Sequence, residues 1–351
     1  MDTQSKIPLA FSNQSALKGK TTIVLAGDVG GTKTNLALFQ ASEKNVDLIC
    51  EATYHSPNYT SANDVIRQFL SENESHKPSG ICLGVAGPVT KGQVEMPNLS
   101  WSISSEDIRN VIGVKTVSLI NDLEATAYGL AALSENDFIT IYPGAGDSGD
   151  NMAIIAPGTG LGEAGLFWDG AVYHPFATEG GHTDFSPRTE LDIELYQYLS
   201  KKYEVVSWER VIAGPGIHDI YRFLCDVKKR KEEDWIKELM KKEDPSAVIS
   251  ESGLGESDPA CMETMQLYVQ YLARESCNLV LKMKSTGGLF LGGGIPPKIT
   301  SLLQQNVFYD NFLNCDRMQH LIRKTPVKII LNNKTALLGA AYFGAYSDNQ
   351  K

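Results

Sequence analysis

Asp28 closes the apolar run Leu25-Ala26-Gly27 and precedes Val29-Gly30-Gly31-Thr32-Lys33. A carboxylate beside a glycine turn can hold Mg²⁺, directly or through water, while the turn's amides meet phosphate oxygens. Thr32 and Lys33 add a hydroxyl and an ammonium that either reach the same anion or stay in water. The bland alternative is an aspartate that only caps a tight turn. A P-loop is excluded, because Thr32 separates Gly31 from Lys33 where that loop needs Gly-Lys-Ser/Thr. The dinucleotide-binding loop also fails, since it must open a helix. Here residues 32–39 alternate with a short period, carry early β-branched positions and show no helical stripe. They read as a second strand, which makes the glycines the tip of a phosphate-binding β-hairpin.

Four more segments could carry chemistry. Asn121-Asp122 follows Val117-Ser118-Leu119-Ile120 and leads into a helix. Ligands of open α/β sheets bind at such strand ends, and a carboxylate there could accept the proton of an attacking hydroxyl. Asp122 as a mere N-cap of the next helix is the other reading. Glu179 and His182 flank Gly180-Gly181, and a carboxylate with a neutral imidazole can grip vicinal sugar hydroxyls. A metal site is the weaker idea here, with a single nearby histidine and no cysteine pair. Glu209-Arg210 reads from its own pattern as a surface or helix-start pair. Gly292-Gly293-Gly294 after a buried strand lets backbone approach a flat ligand.

The elements that must position these residues alternate in the first half of the chain. Strands are expected at 22–26, 35–39, 48–54, 81–86 and 116–120, and helices at 62–70, 104–112 and 123–133, the second capped by Ser104 with Asp107. The turn-rich, acidic stretch 142–151 connects to a second start: an apolar run at 152–156, the tip Pro157-Gly158-Thr159-Gly160-Leu161-Gly162, and a strand at 164–168. Strand, glycine tip and strand recur, which suggests an internal duplication. Beyond this the chain becomes mainly helical. Residues 226–244 read as a solvated amphipathic helix and 250–259 as a polar loop, with a long helix at 263–284. A buried strand is expected at 288–291, a helix from Pro296-Pro297, and a closing Ala/Gly-rich helix at 335–346.

Composition sets the class. With 351 residues, 42% of them apolar and 21% charged, the chain is an ordinary globular protein of about two domains. A net charge of −10 argues against a general nucleic-acid binder. No apolar run reaches the ~20 residues that span a membrane, and residues 7–11 are too short for a signal-peptide core. The first twenty residues read as a loose extension, and a cytoplasmic location is expected. Cys50, Cys82, Cys225, Cys261, Cys277 and Cys315 are scattered, as reduced structural thiols would be.

Taken together, these segments resemble the bacterial-type glucokinase family of the sugar kinase/Hsp70/actin superfamily. The resemblance runs over about residues 22–346 and rests on the order and spacing of Gly27–Thr32, Asn121-Asp122, Gly158–Gly162, Glu179–Phe185, Glu209–Gly216 and Gly292–Ile295. It implies an α/β protein with the two-lobed ribonuclease H-like (actin-like ATPase) fold, with ATP and glucose meeting in a central interdomain cleft. The implied division is a flexible extension at 1–20, a small domain at 21–132 plus 335–351, and a large domain at 133–334. Carried over residue by residue, Gly27, Asp28, Gly30, Gly31, Thr32 and Lys33 match the first phosphate element, with Mg²⁺ on Asp28, directly or through water. Gly158, Thr159 and Gly160 match the second, and Gly292, Gly293 and Gly294 the adenosine element. Asn121, Glu179, His182 and Glu209 match sugar-hydroxyl ligands, and Asp122 the catalytic base. The role of Glu209 rests on the resemblance alone.

The reaction so implied is ATP-dependent phosphorylation of D-glucose to glucose 6-phosphate, as in glycolysis, by a cytoplasmic homodimer without nucleic-acid or membrane partners. Asp28 is then expected to face Asp122 across the cleft. The related ROK sugar kinases carry a Cys-x-Cys-Gly zinc motif near the equivalent of His182, and its absence here leaves His182 to the sugar. A kinase for mannose, fructose or N-acetylglucosamine is one alternative. A non-catalytic sugar-sensing regulator is another, although no helix-turn-helix fits in the first twenty residues. An actin-like ATPase would leave Glu179 and His182 unexplained.

Overall fold

The computed structural model describes residues 7–11, 17–43, 45–96, 99–145 and 150–347. The chain divides into two compact units. The first holds the residues up to Asp137, Asp169–Ala177 and those from Asn332 onward, and the second holds Phe138–Trp168 with Thr178–Leu331.

The first unit is built on strands β1 (Thr22–Val29), β2 (Lys33–Ala41), β3 (Val46–His55) and β4 (Gly80–Val85), the small hairpin β5 (Gln93–Met96) with β6 (Trp101–Ser104), and β7 (Thr116–Asn121). The main sheet has the order β3-β2-β1-β4-β7. β1 runs antiparallel to β2 and parallel to β4, and β4 runs parallel to β7. Every residue of β4 is buried, as expected of a central parallel strand covered on both faces. Helix α1 (Ala62–Glu72) is capped by Ser61, and α2 (Ser105–Ile112) by the Ser104 hydroxyl, which accepts from the Asp107 amide. The β5–β6 hairpin was not legible in the sequence. Val94, Met96, Trp101 and Ile103 are buried in the same cluster as Val65, Phe69 and Ile108.

On the opposite face, α3 (Asp122–Gly129) crosses the C-terminal helix Thr335–Tyr346. Small residues make that crossing close: a Cβ on Gly129 would lie 2.0 Å from the Thr335 carbonyl oxygen, and one on Gly339 1.7 Å from that of Ala125. The expectation of a loose N-terminal extension is corrected for residues 7–11. Leu9 forms a parallel bridge with Tyr173, through bonds of 2.8 Å from Ala10 N to Tyr173 O and from Tyr173 N to Pro8 O. The Phe11 ring lies 5.8, 6.0 and 5.4 Å from those of Tyr128, Tyr342 and Tyr346. Residues 1–6 and 12–16 lie outside the described residues, as do 146–149 of the expected acidic connector.

The second unit repeats the plan. Its strands β8 (Phe138–Tyr142), β9 (Met152–Pro157) and β10 (Leu161–Trp168) are followed by β11 (Tyr173–Thr178), most of which belongs to the first unit. β12 (Gly288–Leu291) and β13 (Val327–Ile330) complete the strands. β9 is antiparallel to β10 and parallel to β12, which is parallel to β13, matching β1, β2, β4 and β7. The hairpin-first duplication expected from the glycine tips is therefore present in the topology.

Helices α4 (Glu190–Leu199), α5 (Trp208–Ile212), α6 (Gly214–Asp226), α7 (Asp234–Met240), α8 (Pro245–Leu254) and α9 (Pro259–Met283) fill out this unit. Buried positions recur along all of α9, and its Arg274 meets Asp192 of α4 at 2.7 Å with both side chains nearly inaccessible. Breaking such a pair from one side costs about 3–5 kcal/mol, because a lone charge stays buried. Three expectations are corrected here. The polar stretch from Ser250 is the second half of α8, which starts at the Asp244 cap and Pro245. Within 226–244 only α7 forms a new helix; the chain before it is pinned by Arg222 to Glu232 and Arg230 to Glu263 ion pairs. Pro296 and Pro297 sit in a turn, and the helix begins at Thr300.

The helix crossing yields a direct expectation. Gly339→Ala forces a methyl onto the Ala125 carbonyl oxygen, so stability should fall by at least ~1–3 kcal/mol, the usual scale of overpacking. Thermal melting of the variant beside wild type measures it, and an unchanged midpoint contradicts the close crossing.

Candidate active site

The register of the first sheet places the catalytic candidates. Asp28 pairs with Asn35 on β2 and Gly84 on β4, and Gly84 pairs with Ile120 on β7. Asp28 and Asp122 therefore lie at the same C-terminal edge of one sheet, within one unit. This corrects the expectation that they face each other across a cleft. The reason is the parallel order β1-β4-β7, in which every C-terminal end lies on the same side.

The first glycine tip is a hairpin, as its sequence implies: Gly30 N donates to Lys33 O at 2.9 Å. Its brace is Ser56, a fully buried residue that the sequence did not single out. Ser56 N donates to Thr32 O at 3.0 Å and Ser56 Oγ donates to Gly30 O at 2.9 Å, while Thr34 Oγ1 lies 2.9 Å from Ser56 Oγ. Thr32 and Lys33 are exposed at the tip. Gly27 lies in the ladder interior, buried between Leu83 and Leu36, where a Cβ would meet Leu83 Cδ2 at 2.5 Å. Close packing accounts for that glycine.

Burial raises the Asp28 carboxyl above its ordinary pKa, partly offset by the amide of Asn35, 3.3 Å from Oδ2. A divalent cation would reverse that penalty, because an opposite charge favours the ionised form. No cluster of three His, Cys, Asp or Glu side chains suited to a metal occurs among the described residues. One carboxylate suits Mg²⁺, which takes oxygen ligands and is usually held by one or two carboxylates plus phosphates and water.

At the end of β7 the N-cap is Asn121, not Asp122. Asn121 Oδ1 accepts from Leu123 N at 2.8 Å and Glu124 N at 3.3 Å, while its Nδ2 donates to Gly87 O at 3.2 Å. Only its second amide hydrogen is left for a ligand. Capping by Asn121 relieves Asp122 of that duty, although Asp122 Oδ1 also accepts from Leu123 N at 2.9 Å. Gly84 lets α3 approach this closely, as its Cβ would stand 3.0 Å from that of Ala125.

In the second unit, four segments that are distant in sequence converge. The tip at Gly158 to Gly160 closes by a bond of 2.8 Å from Gly158 N to Gly160 O. Residues 179–182 form a tight turn in which His182 N donates to Glu179 O at 3.1 Å, leaving both side chains exposed. Phe185 N to Val206 O and Trp208 N to Thr183 O, each 2.9 Å, draw the start of α5 against that turn. Glu209 is thereby brought inward. Its Oε2 accepts from Leu161 N at 3.0 Å, and its Oε1 stands 4.0 Å from His182 Nδ1. The surface reading of Glu209-Arg210 holds only for Arg210, whose guanidinium lies 4.6 Å from the Tyr203 ring centre. No local pattern distinguished Glu209, which the family resemblance alone singled out, because its partners are 48 and 27 residues away in the chain.

Gly292, Gly293 and Gly294 follow β12 beside the second tip. Gly293 has φ +77°, and a Cβ there would lie 2.4 Å from the Pro157 carbonyl oxygen. Next to it opens a cavity of about 550 Å³, within the range of small-molecule sites, with Gly158, Thr159, Gly294 and Pro215 in its wall. Burial depresses the pKa of its His218, which favours the neutral imidazole. Gly293→Ala should lower the melting temperature, since both the backbone angle and the contact with the Pro157 carbonyl oppose a side chain. A thermal melt with a wild-type midpoint would contradict this close approach.

The glucokinase family model matches residues 25–346. A glucokinase of Nostoc punctiforme is 36% identical over 338 residues, covering 92% of this chain and 99% of its own. One from Synechocystis sp. is 35% identical over 347 residues, covering 92% and 98%. The crystal structure of a glucokinase from an Antarctic psychrotroph has a TM-score of 0.79 at 30% identity, over 92% of this chain and 98% of that one. At 21% identity, a Balamuthia mandrillaris glucokinase crystallised with glucose shares the fold, with a TM-score of 0.77 over 93% and 94% of the two chains. The fold is the two-lobed, ribonuclease H-like fold of the actin-like ATPases. With that match running through both units, the chain belongs to the glucokinase family of sugar-phosphorylating enzymes.

Proposed function

We propose that the protein transfers the terminal phosphoryl group of ATP to the 6-hydroxyl of D-glucose. The observation that carries this reading is Glu209. One oxygen holds the Leu161 amide at the foot of the second glycine tip, and the other faces His182. A single carboxylate thus joins a phosphate-type hairpin to a turn whose exposed Glu179 and His182 suit vicinal hydroxyls.

The roles follow from each group's bonding. Glu179, His182 and Oε1 of Glu209 hold sugar hydroxyls, with the free amide hydrogen of Asn121. Asp122 accepts the proton of the 6-hydroxyl as its oxygen bonds to phosphorus. The bond from phosphorus to the bridging oxygen breaks, and ADP leaves with that electron pair. Amides of the tips at Gly30 to Lys33 and Gly158 to Gly160 meet the phosphates, and the cavity beside Gly294 takes the adenosine. Mg²⁺ held by Asp28 and the phosphates would neutralise charge on the transferring group. Such catalysis is mostly positioning and electrostatics. A hydroxyl-lined site rejects sugars that leave its buried polar groups unpaired. The reading includes a homodimer, as the family resemblance implies.

Two measurements test it. Asp122→Ala should cut kcat at least ~10²-fold, with glucose affinity much less affected. Near-normal turnover in a coupled assay with Mg²⁺ would remove Asp122 from the mechanism. Glu179→Gln should weaken glucose binding more than ATP binding, and calorimetry showing wild-type glucose affinity counts against the sugar turn.

A further inference from the structure

Beneath the 179–182 turn lies a carboxyl pair that the proposed reaction does not use. Glu163 of β10 is 1% exposed and Glu275 of α9 is 0% exposed. Burial raises the pKa of both carboxyls, but Glu275 has partners that favour its charged form more than anything beside Glu163 does. Its Oε1 accepts from Lys282 Nζ at 3.0 Å and its Oε2 from Asn278 Nδ2 at 2.7 Å. Arg188, whose Nη2 donates to Asn278 Oδ1 at 3.3 Å, adds positive charge on the same side. Glu163 meets this carboxylate side chain to side chain, and its own Oε1 is buried without a partner. An anion so placed would be costly, whereas a protonated acid donates its hydrogen to the neighbour. Burial, followed by the Glu275 charge, pushes the Glu163 pKa up to about 8.

Glu163 also supports the turn. A Cβ on Gly180 would lie 1.9 Å from Glu163 Oε2, so the carboxyl occupies the side-chain space of residue 180. Thr178 Oγ1 donates to Glu163 O at 3.1 Å and accepts from Gly180 N at 3.2 Å. The turn is thus tied to the main chain of Glu163 and rests on its side chain.

We infer that Glu163, sharing one proton with Glu275, is a positioning residue for the 179–182 turn and sets how well that turn grips a sugar. The inference rests on the reading of Glu179 and His182 as sugar ligands. Loss of the shared proton puts two negative charges into a buried space where Lys282 and Arg188 both lie on the Glu275 side. The Glu163 carboxylate can then lower its energy only by moving against Gly180 or admitting water, and either disturbs the turn. The other charged groups nearby are Glu179 and His182 on the turn, both exposed, and Glu209 of α5, which is held by the Leu161 amide.

Calorimetry of glucose binding to the full-length protein, without nucleotide, at pH 7 and pH 9 tests this. Where binding needs the protonated pair, wild-type affinity should fall about tenfold across a pKa near 8. Glu163→Gln, a neutral isostere, should bind like wild type at pH 7 and lose less than ~2-fold at pH 9. Glu275→Gln removes the like charge, so only one negative charge can form and affinity should fall less than ~2-fold between pH 7 and pH 9. A flat wild-type profile, or a Glu163→Gln or Glu275→Gln profile that follows wild type, overturns the inference. Failure of the sugar-turn reading is separate, because it would appear as unchanged glucose affinity in Glu179→Gln.

Discussion

Close approach of main chain to main chain is the constraint on which both units depend. In the second unit, the Leu161 carbonyl passes so near Gly181 that a Cβ would stand 2.2 Å from its oxygen. Gly293 is as tight against Pro157, and Gly160 leaves the gap that the Glu209 carboxylate enters. These contacts bring the second tip, the 179–182 turn and the segment after β12 to one place. The first unit uses the same device at Gly129 and Gly339, where α3 meets the C-terminal helix. That crossing carries the helix opened by Asp122.

Electrostatics builds on this scaffold in a particular way. The chain carries a net charge of −10, yet its proposed ligands include a polyphosphate. In the proposed reading, attraction comes locally from oriented amides at two hairpin tips and not from a basic surface. The acidic groups near the ligands are each managed by a different means. Asn35 and burial set Asp28, the Leu161 amide holds Glu209, and a shared proton with Glu275 governs Glu163.

Much of the local structure was legible because it is written in short-range patterns. The alternation after Gly31 marked β2, and the Ser104 to Asp107 spacing marked the start of α2. The β5–β6 hairpin was hidden, since each strand is four residues long and includes only two buried side chains. α8 was hidden because Ser250-Glu251-Ser252-Gly253 has loop composition and shows no apolar stripe. Residues 7–11 looked loose because their partners, Tyr128, Tyr173, Tyr342 and Tyr346, are far along the chain.

The sequence by itself determined the residue types, the glycine tips, the doubled hairpin plan and the family. Each depends on neighbours within a few positions or on the order of motifs. Tertiary structure alone decided that Asp28 and Asp122 share one sheet edge, because strand order is not encoded in local periodicity. It also decided that Asn121 is the cap, that Glu209 turns inward to Leu161, and that Glu163 meets Glu275. Those facts depend on long-range packing, which sets burial, and burial sets the protonation and bonding of each carboxylate.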